Sequence, residues 1–561
     1  MILIMSKKMK LNESRKVSSI KEMLSLAVKE DGDKIAFEYK DEKDKNVQVT
    51  YKEFNKDTEE LGTALASISM QDKHIAMIGD NSYKWLCVYL TVLKSTGVFV
   101  PIDKELTVDG IINVLKHSDS EVLFYAEKYE KWIPKIKGEV PNVKYFIGLN
   151  RKEEEENILS YDKFKESGKK LLETGSTIYT SLQDDENKLK LLVYTSGTTG
   201  NPKGVMLTEH NLISVVYYGL QVADIKTKCL SVLPYHHTYE AVAGILVALH
   251  KRACICINDS LKNVLKNLQT YKPDYIYVVP AFTEIFYKKI WSNAEECGKD
   301  RLLKIMLPVS NALRKIGIDL RNVLFKSIHQ AFGGNLKEIV CGGAPIRPEI
   351  GKFFNDIGMI LLNGYGITEC SPLVSVNRLQ FNDSSTVGVI LPCCEVKFEN
   401  VTPDGDGEIC VKGDIVMMGY YKEQEKTDKV LKDGWFNTED YGSINKKGQL
   451  VINGRKKNLI VLDNGKNVYP EEIENYILGI PYVQEVVVKA KKNKIGQETA
   501  LIAEVYLDQE KVAEIETSDI KQKLKADISQ ACKELPVYKR ISEIEIRKEE
   551  FEKTTTKKIK R

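Results

Sequence analysis

A chain of 561 residues with 43% hydrophobic content can bury several cores, so it is globular rather than disordered. Lys and Arg number 82 against 79 Asp and Glu, a net charge of +3, which supplies no overall field for recruiting nucleic acid. Its 11 cysteines contain no C-x-x-C and its 7 histidines no H-x-x-x-H, so a protein-built transition-metal site is not expected, and any metal arrives with a nucleotide. The thiols read as buried groups of a reduced, cytosolic protein. Met1 to Met5 is apolar but gives way to Ser6-Lys7-Lys8, far short of a signal-peptide core. The longest mid-chain apolar run, Ala241 to Leu249, is 9 residues, where crossing a bilayer takes about 20. That pattern predicts a soluble chain and leaves contact with a membrane surface open.

In chain order, Thr50 and Glu53 have capping-box spacing, followed by Phe54, Leu61 and Leu65 on one helical face. Strand-like His74 to Ile78, helix-like Trp85 to Lys94 and strand-like Gly97 to Ile102 then alternate, which predicts an α/β fold with parallel strands. From Arg151 to about Asn187 the chain is polar and reads as a surface excursion. Next comes Tyr194 to Gly204, Y-T-S-G-T-T-G-N-P-K-G. Leu189 to Tyr194 ends in strand formers and Thr208 is placed to cap the apolar run from Leu212, which predicts a loop between a strand and a helix. Three glycines allow backbone N–H groups to close around an anion, four hydroxyls add donors, and Lys203 adds charge, an inventory suited to polyphosphate. No Ser or Thr follows the lysine, so this is not a Walker A loop.

Beyond the loop lie Leu233-Pro-Tyr-His-His-Thr-Tyr-Glu240 and a compact apolar helix reaching Leu249. Asp274 to Pro280 and Leu336 to Val340 read as strands, with a charged helical excursion, Glu284 to His329, between them. The second runs into Cys341-Gly-Gly-Ala-Pro345, whose glycines permit a flat ligand to approach backbone. Asn363-Gly-Tyr-Gly-Ile-Thr-Glu369 places an aromatic, a hydroxyl and a carboxylate at another strand end, and Mg²⁺ prefers one or two carboxylates beside phosphate oxygens and water. From Val387 short strands and turns, including Pro403 to Gly407, predict a small β subdomain over about 387–453. Trp435 to Asp440 and the cationic Gly454 to Ile460 follow, the latter without the interleaved aromatics of a nucleic-acid patch. A second domain of ordinary size, with strands around Val483 to Val488 and Ala500 to Tyr506, closes the chain, ending Glu552-Lys-Thr-Thr-Thr-Lys-Lys-Ile-Lys-Arg561.

Five of these motifs, in order, resemble those of the adenylate-forming superfamily, which includes acyl-CoA synthetases, aryl-CoA ligases, luciferases and peptide-synthetase adenylation domains. The resemblance implies a large domain of layered helices and mixed β-sheets over 1–453, a hinge at 454–459 with Lys457 at its pivot, and a mobile α+β domain over 460–561. It implies that Thr195, Ser196, Gly197, Thr198, Thr199, Gly200 and Lys203 hold ATP phosphates, with Gly343 and Ala344 at the nucleotide. Tyr365 would stack on adenine beside Gly366, Thr368 would touch the α-phosphate, Glu369 would hold Mg²⁺, and Asp440 would pair with ribose. Arg455 would contact ribose or phosphate, and His237 would lie near the reacting carboxylate. Lys558 falls at the family's catalytic lysine, although Glu552 and Lys557 replace its proline and glycine and leave Lys557 as an alternative.

The implied reaction joins a carboxylic acid to AMP, releasing pyrophosphate, then to CoA. Leu462 to Pro470 has the length found in the long-chain fatty acyl-CoA synthetase branch, so the expected substrate is a medium- to long-chain fatty acid. Amino-acid-activating relatives place an aspartate near the His236-His237 stretch; here only Glu240 could take that part. Two other readings are a ligase loading a carrier-protein thiol and a degenerate nucleotide-binding or membrane-surface regulatory protein.

Overall fold

The computed structural model describes residues 10–183, 185–195, 203–403, 405–463, 466–492, 498–515, 519–533, 535–553 and 559. Two large sheets share one continuous core. The eight-stranded sheet runs Gly419–Tyr420, Lys203–Thr208, Leu189–Thr195, Val98–Pro101, His74–Ile78, Val122–Tyr125, Tyr145–Gly148, Ile158–Ser160. Strands Val98–Pro101 and Val122–Tyr125 are buried at every residue, as expected of parallel strands covered on both faces. The nine-stranded sheet is centred on parallel Lys228–Ser231, Tyr275–Val278, Glu338–Cys341 and Ile360–Gly366. Helix Tyr83–Leu93 is apolar around its circumference, and Trp85 to Leu93 are all buried in the core that joins Phe99 and Leu191 of one sheet to Leu230 and Ile276 of the other.

The sequence periods predict strands His74–Ile78, Val98–Pro101 and Tyr275–Val278 and helix Tyr83–Leu93 to within two residues at each end. Thr50 and Glu53 form both bonds of a capping box, and Thr208 caps helix Glu209–Val222. Three expectations need correction. The 151–187 excursion is not only surface: Ile158–Ser160 closes the edge of the eight-stranded sheet, and helix Tyr161–Glu173 packs on helix Tyr51–Ser67. At that crossing Gly168 lies so close that a Cβ there would sit 1.9 Å from the Glu60 carbonyl oxygen. The Tyr194 to Gly204 stretch does not join strand to helix; it connects two antiparallel strands, with Tyr194 opposite Gly204 and Thr195 opposite Lys203, and the helix begins only at Glu209. Cys297 is exposed, and Cys254, Cys393 and Cys394 are half-buried, so the thiols are not uniformly interior.

Strands Cys394–Glu399, Gly407–Gly413, Leu431–Lys432, Trp435–Ile444 and Leu450–Arg455 form a five-stranded antiparallel sheet. The C-terminal part has its own core, built by strands Val483–Lys492, Glu498–Leu507 and Ile541–Ile546 with helices Pro470–Ile477 and Ile520–Ala531. Among the described residues, no helix is long and apolar enough to cross a membrane.

Candidate active site

The chain's polar motifs converge where the nine-stranded sheet ends, beside the hairpin. Strand Gly419–Tyr420 pairs with the return strand of that hairpin through Gly419 opposite Met206 and Tyr420 opposite Val205. The same segment reaches Glu369: the Met417 amide donates to the Glu369 carbonyl at 2.9 Å, and the Tyr420 hydroxyl donates to Glu369 Oε1 at 2.9 Å. Lys203 Nζ stands 4.8 Å above the Tyr420 ring, a cation–π arrangement. One tyrosine thus fixes the separation of the cation and the carboxylate, and Tyr420 was not singled out from sequence. Its only signal was its place in Gly419-Tyr-Tyr421. Ser196, Gly197, Thr198, Thr199 and Gly200 lie outside the described residues, as does Lys558; Thr195 and Lys203, which flank the first five, are cross-strand partners.

Tyr365 and Gly366 end strand Ile360–Gly366, and Thr368 and Glu369 form the tight turn that follows. Gly366 permits that path, since a Cβ there would meet the Pro372 carbonyl oxygen at 1.8 Å. The buried Tyr365 hydroxyl donates to Asp440 Oδ2 at 2.7 Å, and Arg455 Nε lies 3.2 Å from Asp440 Oδ1. Asp440 and Arg455 are cross-strand partners, so the small sheet itself sets this pair. Burial and the Asp440 charge push the Tyr365 phenol well above its ordinary pKa, so it remains a neutral donor. Gly343 takes φ of +85°, leaving it and Ala344 exposed toward solvent.

The helix after Glu240 is a π-helix over Tyr239–Leu246, continuing as Val247–His250. Its wider turn directs Tyr239, Ala243 and Val247 along an apolar cavity that also meets Gly343, Tyr365 and Leu373. The Tyr239 hydroxyl donates to the Val278 and Val340 carbonyls at 3.3 and 3.1 Å, fastening this helix to the sheet. Glu240 points elsewhere. It is buried, accepts a hydrogen bond from Ser231 Oγ, and burial raises its pKa to about 8. The structure therefore gives Glu240 no place among the cavity's lining residues.

The His236 and His237 rings are neighbours, tilted 55° to one another with centroids 4.2 Å apart. His236 is buried 3.3 Å from Asp103, and desolvation together with its neighbour lowers its pKa to about 3. His237 is half-buried at the start of the π-helix. Lys457 lies in the exposed turn Lys456–Asn458, between the small sheet and the C-terminal part. On either side, Lys456 Nζ pairs with Glu408 at 2.6 Å, and Asn458 hydrogen-bonds Glu471.

Away from this cleft, Cys254 and Cys256 share a strand face with Glu38, with ligand atoms within 4.8 Å of one another. Lys228 already neutralises Glu38 at 2.7 Å, which sets this cluster against a cation.

The description "AMP-binding enzyme" matches residues 24–421, and "AMP-binding enzyme C-terminal domain" matches 457–561. The chain belongs to the AMP-binding enzyme family. Enzymes of this family form an acyl adenylate from ATP and then transfer the acyl group to CoA. Curated relatives include the long-chain-fatty-acid–CoA ligase FadD15 of Mycobacterium bovis, 28% identical over 76% of this chain and 72% of the relative. Another is a chloroplastic long-chain-fatty-acid–[acyl-carrier-protein] ligase of Arabidopsis thaliana, 28% identical over 87% of this chain and 76% of its own. Among solved structures, the adenylation domain of a carboxylate reductase from Mycobacterium chelonae superposes with a TM-score of 0.79 at 20% identity, covering 96% of this chain and 88% of that one. An anthranilate CoA ligase bound to anthranoyl-AMP superposes at 0.76 and 17%, covering 99% and 96%. At such identities the superpositions establish the fold.

Proposed function

We propose that this chain activates a medium- to long-chain fatty acid with ATP and passes the acyl group to CoA. The observation that carries the substrate class is the apolar cavity: Gly343 and Tyr365, which by the family resemblance border the nucleotide, also line a pocket walled by Tyr239, Ala243, Val247 and Leu373. A carboxylate held at that junction keeps its hydrocarbon in the pocket and its oxygens at the nucleotide. The names of the long-chain relatives support the same class.

In the first step a carboxylate oxygen bonds to the α-phosphorus and the bond to pyrophosphate breaks. In the second, the CoA sulfur bonds to the acyl carbon, AMP leaves with the electrons of the C–O bond, and the thiol proton passes to solvent. The residues' task is positioning and charge neutralisation. Lys203, braced by Tyr420, and the Thr195 to Gly200 hydroxyls and amides hold the β- and γ-phosphates that leave as pyrophosphate. Asp440, oriented by Tyr365 and Arg455, holds ribose, while Thr368 and His237 stand at the reacting groups. Glu369, half-exposed and held at one oxygen by a phenol, is the hard ligand that Mg²⁺ takes beside phosphate and water. Bound there, the ion would offset triphosphate charge. Lys558 serves the first step, and the Lys456–Asn458 turn is the pivot about which the C-terminal part changes position between steps.

Pyrophosphate release across acids from acetate to palmitate, with and without CoA, tests this reading. Specificity should climb with about 0.8 kcal/mol per buried methylene until the cavity is full. A flat profile, or preference for benzoates, defeats it. The Arabidopsis relative's name favours a second acceptor, so the same assay with acyl-carrier-protein thiol in place of CoA decides between the two.

A further inference from the structure

Helix Glu209–Val222 carries a buried glycine, Gly219, that its own packing does not require. A Cβ at Gly219 would meet only Leu373 Cδ2, at an ordinary 3.8 Å, whereas at Gly168 and Gly366 it would strike backbone oxygens. Nor does Gly219 take a positive φ. Inside a helix alanine is favoured over glycine by about fivefold, so the protein without ligand gains nothing from the missing side chain. What its absence leaves is space, because Gly219 lines the apolar cavity beside Leu373. This helix wall runs away from the nucleotide end. Asn211, in the helix's first turn, donates to the Asp414 and Val416 carbonyls, next to the Met417 amide that bonds Glu369. Beyond Val222 the chain enters strand Lys228–Ser231, and it is the far end of that strand that leads to His236 and His237. Val215, Gly219 and Ala223 therefore line the cavity in order of depth, at four-residue steps of about 6 Å.

We propose that Gly219 sets how long a hydrocarbon the cavity accepts. Substrate methylenes fill the space that a side chain would take there and pass beyond it, toward the part walled by Ala223 and Val247. The proposal rests on the fatty-acid reading and deepens it by naming the residue that limits chain length. An extended chain advances about 1.2 Å per bond, so one step of about 6 Å along the helix spans about five methylenes. A bulky side chain at 219 should thus end the cavity about five carbons sooner than one at 223.

The test is pyrophosphate release by the full chain on saturated acids from butyrate to palmitate, comparing the parent with Gly219→Ala, Gly219→Leu and Ala223→Leu. For butyrate, kcat/KM should stay within about twofold of the parent in every variant, and so should the KM for ATP, because the nucleotide end is untouched. Gly219→Leu should lose about fourfold in kcat/KM for each methylene that no longer fits, with an optimum about five carbons shorter than that of Ala223→Leu. Gly219→Ala adds one methyl group where there is room for it, so it should melt no lower than the parent and lose about fourfold on palmitate relative to butyrate. That variant keeps the test decisive if leucine at 219 prevents folding. An unchanged palmitate-to-butyrate ratio in the Gly219 variants, equal loss at every chain length, or a shorter optimum for Ala223→Leu than for Gly219→Leu overturns the proposal. The parent's own profile judges the fatty-acid reading: if flat or in favour of benzoates, it defeats that reading and this proposal with it. A climbing parent profile with indifferent variants defeats the role of Gly219 alone.

Discussion

Glu240 offers a stability experiment whose sign and size follow from its surroundings. The carboxyl is buried in the π-helix, its Oε2 has no hydrogen-bond partner among the described residues, and its pKa stands at about 8 against an ordinary 4.5. The folded protein therefore holds a proton on Glu240 that the unfolded chain has released above pH 4.5. Its contribution is fully present below about pH 4.5 and is lost as pH rises toward about 8, by about 1.4 kcal/mol for each unit. Glu240→Gln is neutral at every pH and keeps an oxygen for the Ser231 hydroxyl. The variant should match the parent near pH 5 and exceed it by about 3 kcal/mol at pH 7. His236, lowered to about 3, works in the opposite direction, costing stability as pH falls below its ordinary range, and Glu338, raised to about 7 by burial, works in the same direction as Glu240. Both are present in parent and variant, so the difference between the two isolates Glu240. Denaturant midpoints from about pH 5 to 8 measure it. A difference that stays constant across that range would refute the reasoning.

Lys190 and Glu209 are both fully buried and lie 3.5 Å apart at the base of the hairpin, so Lys190→Met should cost roughly 3 to 5 kcal/mol in denaturant unfolding and Lys190→Met with Glu209→Gln should recover much of it. Tyr420→Phe removes the hydroxyl bonded to Glu369 but keeps the ring beneath Lys203, so adenylate formation should slow by roughly three- to tenfold while stability changes little, as measured by pyrophosphate release and melting. Lys558→Ala should slow adenylate formation by roughly two or more orders of magnitude yet leave CoA transfer from supplied acyl adenylate intact; equal damage to both halves would reject its role, and full activity in both would move that role to Lys557.

What could be read from the chain alone divides along physical lines. Buried runs such as His74–Ile78 and capped helices such as Tyr51–Ser67 announce themselves because period and cap are local properties. Ile158–Ser160 could not, being a 3-residue edge strand whose partner, Tyr145–Gly148, lies across intervening polar chain. The hairpin was misread because Thr208 really does cap a helix, and nothing local says that Lys203–Thr208 first returns along Leu189–Thr195. The π-helical register was also hidden, since Tyr239, Ala243 and Val247 keep an ordinary four-residue spacing. Tyr420 shows most clearly why the site was only partly legible. Its strand is 2 residues long, too short for any periodic signal, and its register comes entirely from pairing with residues more than two hundred positions earlier. Yet that pairing sets Lys203 over its ring and Glu369 against its hydroxyl. The motifs named the charged groups, and a tertiary contact between two of them fixed their separation.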